Sequence, residues 1–335
     1  MKAYELKPGA QNDPLVQVDR PSPPLGPTDV RVRVRAVSLN FRDLTVARGA
    51  KNRTAPIIPT SDGAGEVVEV GAQVTTHKSG DRVAAAFFPT WLSGELSDYH
   101  HKHALGGGRD GMLAEEVVLP AAAWVRFPDY LSFAEASTLP CAGVTAYNAL
   151  FESARLRAGD TVLVQGTGGV SIFALQLARA AGARVILTSQ SAEKRARAVT
   201  MGAAHTIDYK AEPKWGEAVR AFTDGHGVDI AIEVGGPGTF DQSVAALRYG
   251  GTMSLLGVLT GTKGEVNTYG IFHKHLIVAG IYVGSVENFA ALNRALAVSE
   301  IHPVIDQVFP FAKAKEAYAH LTGATHFGKV VITLP

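Results

Sequence analysis

The most chemically pointed stretch of the 335-residue chain is Gly166-Thr167-Gly168-Gly169-Val170-Ser171. It follows the short apolar run Thr161-Val162-Leu163-Val164-Gln165 and opens a helical pattern from Val170 to Ala181. A glycine turn between a strand and a helix suits a pyrophosphate. Gly166 makes the tight turn, Gly168 lets backbone approach the anion, and the unpaired N–H groups at the positive helix end face it. Thr167, Gly169 and Val170 fill the rest of the cradle, while Ser171 stands at the third glycine position. Glycines alone carry little weight. This strand–turn–helix order, with a second strand ending about 20 residues on, points to a dinucleotide.

The end of that second strand reads Leu187-Thr188-Ser189-Gln190-Ser191-Ala192-Glu193-Lys194-Arg195. A carboxylate here would accept bonds from a ribose 2′-OH, whereas a 2′-phosphate needs neutral donors and a cation. Ser189 stands where the acid would be, and Lys194 and Arg195 follow. NADPH is therefore expected over NADH. The competing reading makes the two cations solvated helix residues, and Glu193 keeps it open.

Composition sets the frame. Apolar residues make up 46% and charged residues 19%, the profile of a globular protein rather than a disordered or fibrous one. The net charge of +1 gives no field to attract nucleic acid or an anionic membrane. No apolar run approaches the roughly 18 residues of a membrane helix. The first residues, MKAYELKPGA, lack the layout of a secretory leader, and one cysteine excludes an intrachain disulfide. A cytoplasmic protein of two domains is expected.

The elements that must position these residues fall into two regions. Arg31-Val32-Arg33-Val34-Arg35-Ala36-Val37 alternates polar and apolar, as a half-buried strand does, and residues 66–71 and 81–85 behave similarly. Short strands with Gly and Pro punctuation suggest a β barrel over residues 1–126. Beyond it, strands at 161–165, 184–188, 206–209, 228–234, 252–257 and 276–283 alternate with helices, as in a doubly wound parallel sheet. The second domain is expected at 127–284, with 285–335 returning to complete the first.

Several motifs in fixed order now carry a family likeness. They are Val37-Ser38-Leu39-Asn40-Phe41-Arg42-Asp43, Ser61-Asp62-Gly63-Ala64-Gly65-Glu66, Gly80-Asp81-Arg82-Val83, Leu139-Pro140-Cys141-Ala142-Gly143-Val144-Thr145, Glu233-Val234-Gly235-Gly236 and Gly257-Val258-Leu259-Thr260-Gly261. The chain resembles the medium-chain dehydrogenase/reductase superfamily, and within it the zinc-independent quinone oxidoreductase branch. The resemblance implies an α/β fold: a GroES-like β-barrel domain plus a Rossmann doubly wound parallel-sheet domain. It also implies a homodimer, and the apolar segment 276–283 would be the edge strand that pairs.

A catalytic zinc needs three Cys, His or carboxylate ligands and an open position. Matched motif by motif, the superfamily's ligand positions hold Asn40, Ser61 and Cys141, so no zinc is expected. The lobe from Trp91 to Asp110 lacks the four cysteines of a structural zinc, and His100, His101 and His103 are read there as solvated side chains. Small apolar flanks raise the pKa of the Cys141 thiol, which argues against a nucleophile.

Without a metal, hydride transfer to an already electrophilic quinone or enone fits best. The resemblance points Asn40 into the cleft as a donor to the acceptor oxygen. It places Thr145, Val258, Leu259 and Thr260 beside the nicotinamide, and Lys194 and Tyr209 beside the 2′-phosphate. The branch's tyrosine has no counterpart in residues 47–53, which leaves water as the proton source. Its C-terminal arginine is also missing from 322–329, and Lys329 stands nearest. The alternatives are an enoyl thioester reductase, a zinc-type alcohol dehydrogenase and a non-catalytic NADPH-binding protein.

Overall fold

Alternation in the first region becomes one long strand that serves three neighbours. A computed structural model describes residues 1–10 and 13–335. After the ribbon of β1 (Lys2–Leu6) and β2 (Leu15–Asp19) comes β3 (Asp29–Leu39). Val30, Val32 and Val34 are fully buried, while Arg31 turns outward to Glu69 and Glu116 on adjacent strands at 3.0 and 3.4 Å. One edge of β3 pairs throughout with β4 (Asp62–Val70), across two register shifts. The other edge is shared, pairing first with Glu116–Pro120 and then with Lys329–Thr333. The chain's last strand is thereby inserted beside Leu39 and its neighbours, at the mouth of helix α1 (Phe41–Arg48).

The chain divides into two compact units, Met1–Val144 with Val283–Pro335, and Thr145–Tyr282. The first unit runs past the break expected after residue 126. Arg82 holds this extension. Its guanidinium lies 4.8 and 4.7 Å from the ring centroids of Phe127 and Phe133 and donates to the Asp129 and Leu131 carbonyls. Helix Val286–Ser299 belongs here too, with Asn293 Nδ2 donating to the Arg126 carbonyl at 2.8 Å.

The second unit contains a six-stranded, all-parallel sheet. In chain order its strands are Thr161–Gln165, Arg184–Thr188, His205–Ile207, Val228–Glu233, Leu247–Leu255 and Ile277–Gly280. In space the third, second, first, fourth, fifth and sixth lie side by side, so the order reverses between Thr161–Gln165 and Val228–Glu233. Strands buried on both faces read as unbroken apolar runs, as Val162, Leu163 and Val164 do. Three details depart from the sequence reading. The third strand stops at Ile207, the fifth begins at Leu247, and the sixth is confined to Ile277–Gly280. That sixth strand is an edge, and Ile277 is 57% exposed. Among the described residues no helix is long and apolar enough to cross a membrane.

Gly65 tests the packing of β3 on β4. A methyl group there would lie 2.1 Å from the Arg33 carbonyl oxygen and 2.8 Å from Val32 Cγ1. Gly65→Ala should cost at least ~2 kcal/mol, because strand backbone must shift to admit it. Urea denaturation checks this, and an unchanged midpoint would contradict the close approach.

Candidate functional site

The glycine turn has the geometry of a phosphate cradle. Gly166, directly after the first strand of the parallel sheet, sits at φ +69°, and its N–H donates to the Thr188 carbonyl at 2.8 Å. Gly168 is the N-cap of helix Gly169–Ala180. A Cβ at either glycine would meet nothing within 4 Å, so the space above the turn is open. The helix's first turn carries no acidic residue, which leaves its positive end free for an anion. Ser171, at the third glycine position, donates its hydroxyl to the Gln165 carbonyl at 2.6 Å and fastens helix to strand. Thr167 is buried, and Gly169 and Val170 are half-buried. These residues fit a dinucleotide.

The second and third strands end side by side, with Thr188 opposite Ile207. Ser189 is buried just beyond, its N–H bonded to the Ile207 carbonyl at 3.0 Å. Lys194 is half-buried in the first turn of helix Ala192–Thr200, where its N–H donates to the capping hydroxyl of Ser191 at 3.3 Å. Tyr209 lies in the turn after the third strand rather than within it. No sequence signal marks the next contact. Arg195 donates to the Ser189 carbonyl at 2.7 Å and to Asp208 Oδ2 at 2.9 Å. The Lys210 and Ala211 N–H groups, Lys210 foremost, hold the Asp208 carboxyl below the usual carboxylate range. A cation and its counter-ion thus flank Ser189.

Glu233, to which its motif assigns no role, organises the loop expected beside the nicotinamide. Its side chain is fully buried and accepts from the Gly235 N–H at 2.7 Å, the Gly236 N–H at 2.9 Å and the Thr239 hydroxyl at 2.6 Å. Its second oxygen accepts from Gln165 Nε2 at 2.6 Å and from the Ser243 hydroxyl. Thr260 in turn reaches the Gly235 carbonyl through both its N–H and its hydroxyl, each at 2.8 Å. Val258 and Leu259 are held there with 46% and 58% of their surface exposed. Thr145, the first residue of this unit, is buried.

Asn40 belongs to the first unit, where it is the N-cap of α1. Its Oδ1 accepts from the Lys329 ammonium, and its Nδ2 faces Ser61 Oγ at 3.5 Å. Lys329 is 3% exposed and also donates to the Leu39 carbonyl at 2.7 Å. Both contacts lie within the first unit, on Leu39 and Asn40. Ser61 donates to Asp62 Oδ1 at 2.7 Å, and the Cys141 N–H donates to Asp62 Oδ2 at 3.1 Å. Burial raises the Asp62 carboxyl, with the Lys329 charge opposing that rise. Burial also pushes the Cys141 thiol far up, and the neighbouring Asp62 charge adds to it. Asp43 accepts the Asn40 N–H at 2.8 Å, and burial lifts its carboxyl to about 6.

Among the described residues no three His, Cys, Asp or Glu side chains gather as a metal site. Two of the three histidines of the Trp91–Asp110 lobe, expected as solvated side chains, have protein partners. His100 Nδ1 pairs with Thr90 Oγ1 at 3.2 Å, and His103 Nδ1 with the Tyr99 carbonyl at 2.6 Å.

Comparison with known proteins gives the same architecture. Residues 26–129 match the alcohol dehydrogenase GroES-like domain, and residues 169–298 match the zinc-binding dehydrogenase family. A zinc-type alcohol dehydrogenase-like protein of Schizosaccharomyces pombe is 44% identical over 318 residues, 92% of each chain. A quinone oxidoreductase of Pseudomonas aeruginosa is 32% identical over 92% of this chain and 91% of its own. A crystal structure of a putative alcohol dehydrogenase from Sinorhizobium meliloti superposes with a TM-score of 0.92 at 41% identity, covering 99% of this chain and 98% of that one.

Asp43 gives the site a pH signature. Its carboxyl titrates at about 6 in the folded chain and near 3.8 when released. Between these values the folded state keeps a proton that the unfolded state loses. The stabilisation is therefore fully present below about pH 3.8 and lost as pH rises through about 6. Relative to Asp43→Asn, which keeps an acceptor for the Asn40 N–H, the wild type should lose up to about 3 kcal/mol across that window. Denaturant titrations at pH 4, 5, 6 and 7 measure this, and parallel profiles would refute it.

Proposed function

Because this chain belongs to the medium-chain dehydrogenase/reductase superfamily, whose oxidoreductases use a nicotinamide cofactor, we propose that it transfers hydride from NADPH to a quinone or an α,β-unsaturated carbonyl without zinc. One observation carries the reading. Two of the three superfamily ligand positions hold Asn40 and Ser61, an amide and a hydroxyl already bonded within a buried network. The donor set does not suit zinc, despite the name of the matched family. When bound, the nicotinamide supplies two electrons and one hydrogen as hydride.

The chain's own residues then bind, orient and polarise. The turn of Gly166, Thr167, Gly168, Gly169 and Val170 receives the pyrophosphate. Ser189, Lys194 and Tyr209 take the 2′-phosphate. Thr145, Val258, Leu259 and Thr260 contact the nicotinamide ring. Asn40 Nδ2 donates to the acceptor oxygen as negative charge develops there, and water supplies the final proton. A single cysteine, which can form no intrachain disulfide, suits a reducing cytoplasm.

The decisive assay follows NADPH oxidation by a quinone and enone panel, using chelator-treated protein of measured metal content. Turnover without zinc is expected, with kcat/KM for NADPH at least about 10-fold above NADH. Ser189→Asp sets a carboxylate against the 2′-phosphate and should erase or reverse that preference. Activity only after zinc is restored, or only with NADH, would overturn the reading.

The same reading makes the protein a homodimer joined along edge strand Ile277–Gly280. The strand's free backbone edge and the exposed Ile277, Tyr269 and Phe272 support this. Light scattering at micromolar concentration should give twice the 35.3 kDa chain mass. Ile277→Lys should reduce it to one. A wild-type monomer would defeat the proposal.

A further inference from the structure

We infer that Lys329 is a positioning residue, whose buried ammonium fixes which end of the Asn40 amide is offered to the acceptor. This rests on the reading of Asn40 as a hydrogen-bond donor. An asparagine amide presents an acceptor oxygen on one side and a donor nitrogen on the other, and rotation by half a turn exchanges them. Only the nitrogen can stabilise a developing oxyanion. The neighbouring groups decide the choice. An ammonium has donors and no acceptor, so Lys329 demands the oxygen. Ser61 and Asp62, on the other side, present oxygens that favour the nitrogen.

The clamp is firmly held. Lys329 begins strand Lys329–Thr333, which pairs antiparallel with β3 so that Val330 stands opposite Leu39. This register brings Nζ to the Leu39 carbonyl at 2.7 Å and to Asn40 Oδ1. The Asn40 main chain is pinned independently, because its N–H donates to Asp43 Oδ2 at 2.8 Å and its carbonyl accepts the Asp43 N–H at 2.9 Å. The remaining freedom of Asn40 is therefore in its side chain, and Lys329 removes it.

The first test needs no turnover. In protein labelled with 15N-asparagine, the Asn40 side-chain NH2 pair is identified by its loss in Asn40→Ala. In wild type it should give one ordered, slowly exchanging pair. Lys329→Met should shift it and speed its exchange with water by at least about 10-fold. Lys329→Arg, which keeps charge and donors, should restore it, and circular dichroism confirms that both variants fold. An unchanged pair in folded Lys329→Met overturns the inference.

The second test reads the rate. Lys329→Met should lower kcat roughly 10–100-fold, the scale of one misdirected oxyanion donor, with the NADPH KM changed less than about 2-fold. Added to Asn40→Ala, it should lower kcat by no more than about 2-fold further, because both remove the same interaction. Multiplying effects, or a rise confined to the NADPH KM, would overturn the inference; the latter would make Lys329 a phosphate ligand. A wild type inert toward every quinone and enone, whose amide still responds to Lys329→Met, would refute the proposed reaction and leave the clamp standing.

Discussion

The ammonium of Lys329 is buried with only polar neighbours to offset the loss of water, and that requirement shapes the first unit. An unpaired charge at 3% exposure would cost several kcal/mol. Here the Leu39 carbonyl and the Asn40 amide supply acceptors, while Asp62 supplies opposing charge. Asp62 is itself buried and satisfied by Ser61 and the Cys141 N–H. Residues near positions 40, 60, 141 and 329 therefore form one hydrogen-bonded unit. Removing any one leaves another unsatisfied, and an unsatisfied buried group costs more than a made bond returns. The insertion of the final strand beside β3 is the backbone counterpart of this bond.

The second unit uses a similar device with the opposite chemistry. Glu233 gathers five donors from Gln165, Gly235, Gly236, Thr239 and Ser243. Gln165 ends the strand before the glycine turn, and Gly235 holds Thr260, so one carboxyl ties that turn to the loop of Val258 and Leu259. This junction falls where the strand order reverses, the place at which parallel sheets of this kind leave a crevice for ligands.

Much of this was legible in the sequence because it depends on local chemistry. Val30, Val32 and Val34 alternate with arginines, so β3 could be read directly. The glycine turn could be read because strand, turn and helix follow one another within twenty residues. The partners of Asn40 and Glu233 could not. Lys329 lies 289 residues from Asn40, and no periodicity records that a strand near the C-terminus will pair beside Leu39. Arg195 could be seen as a cation, but its counter-ion Asp208 comes from a different strand end. The early stop at Ile207 has a local cause: the Asp208 carboxylate accepts the Lys210 and Ala211 N–H groups, turning the chain before Tyr209.

Asn40, Ser61 and Cys141, the residues matched to the superfamily's ligand positions, form one bonded set with Lys329 and Asp62. Asn40 cannot supply an anionic ligand, and its oxygen is committed to an ammonium. Ser61 has its proton directed at Asp62. Cys141 keeps its own proton because burial and the Asp62 charge both oppose the thiolate. A dication entering this network would have to deprotonate the thiol, break the Asn40–Lys329 bond and share the space with a fixed positive charge. The same three facts favour a neutral hydrogen-bond donor. On the proposed reading the amide nitrogen is set by the ammonium behind it, and the Asn40 main chain is secured by Asp43. In the proposed reaction, the positive potential that a metal would place directly on the substrate is carried one bond further back.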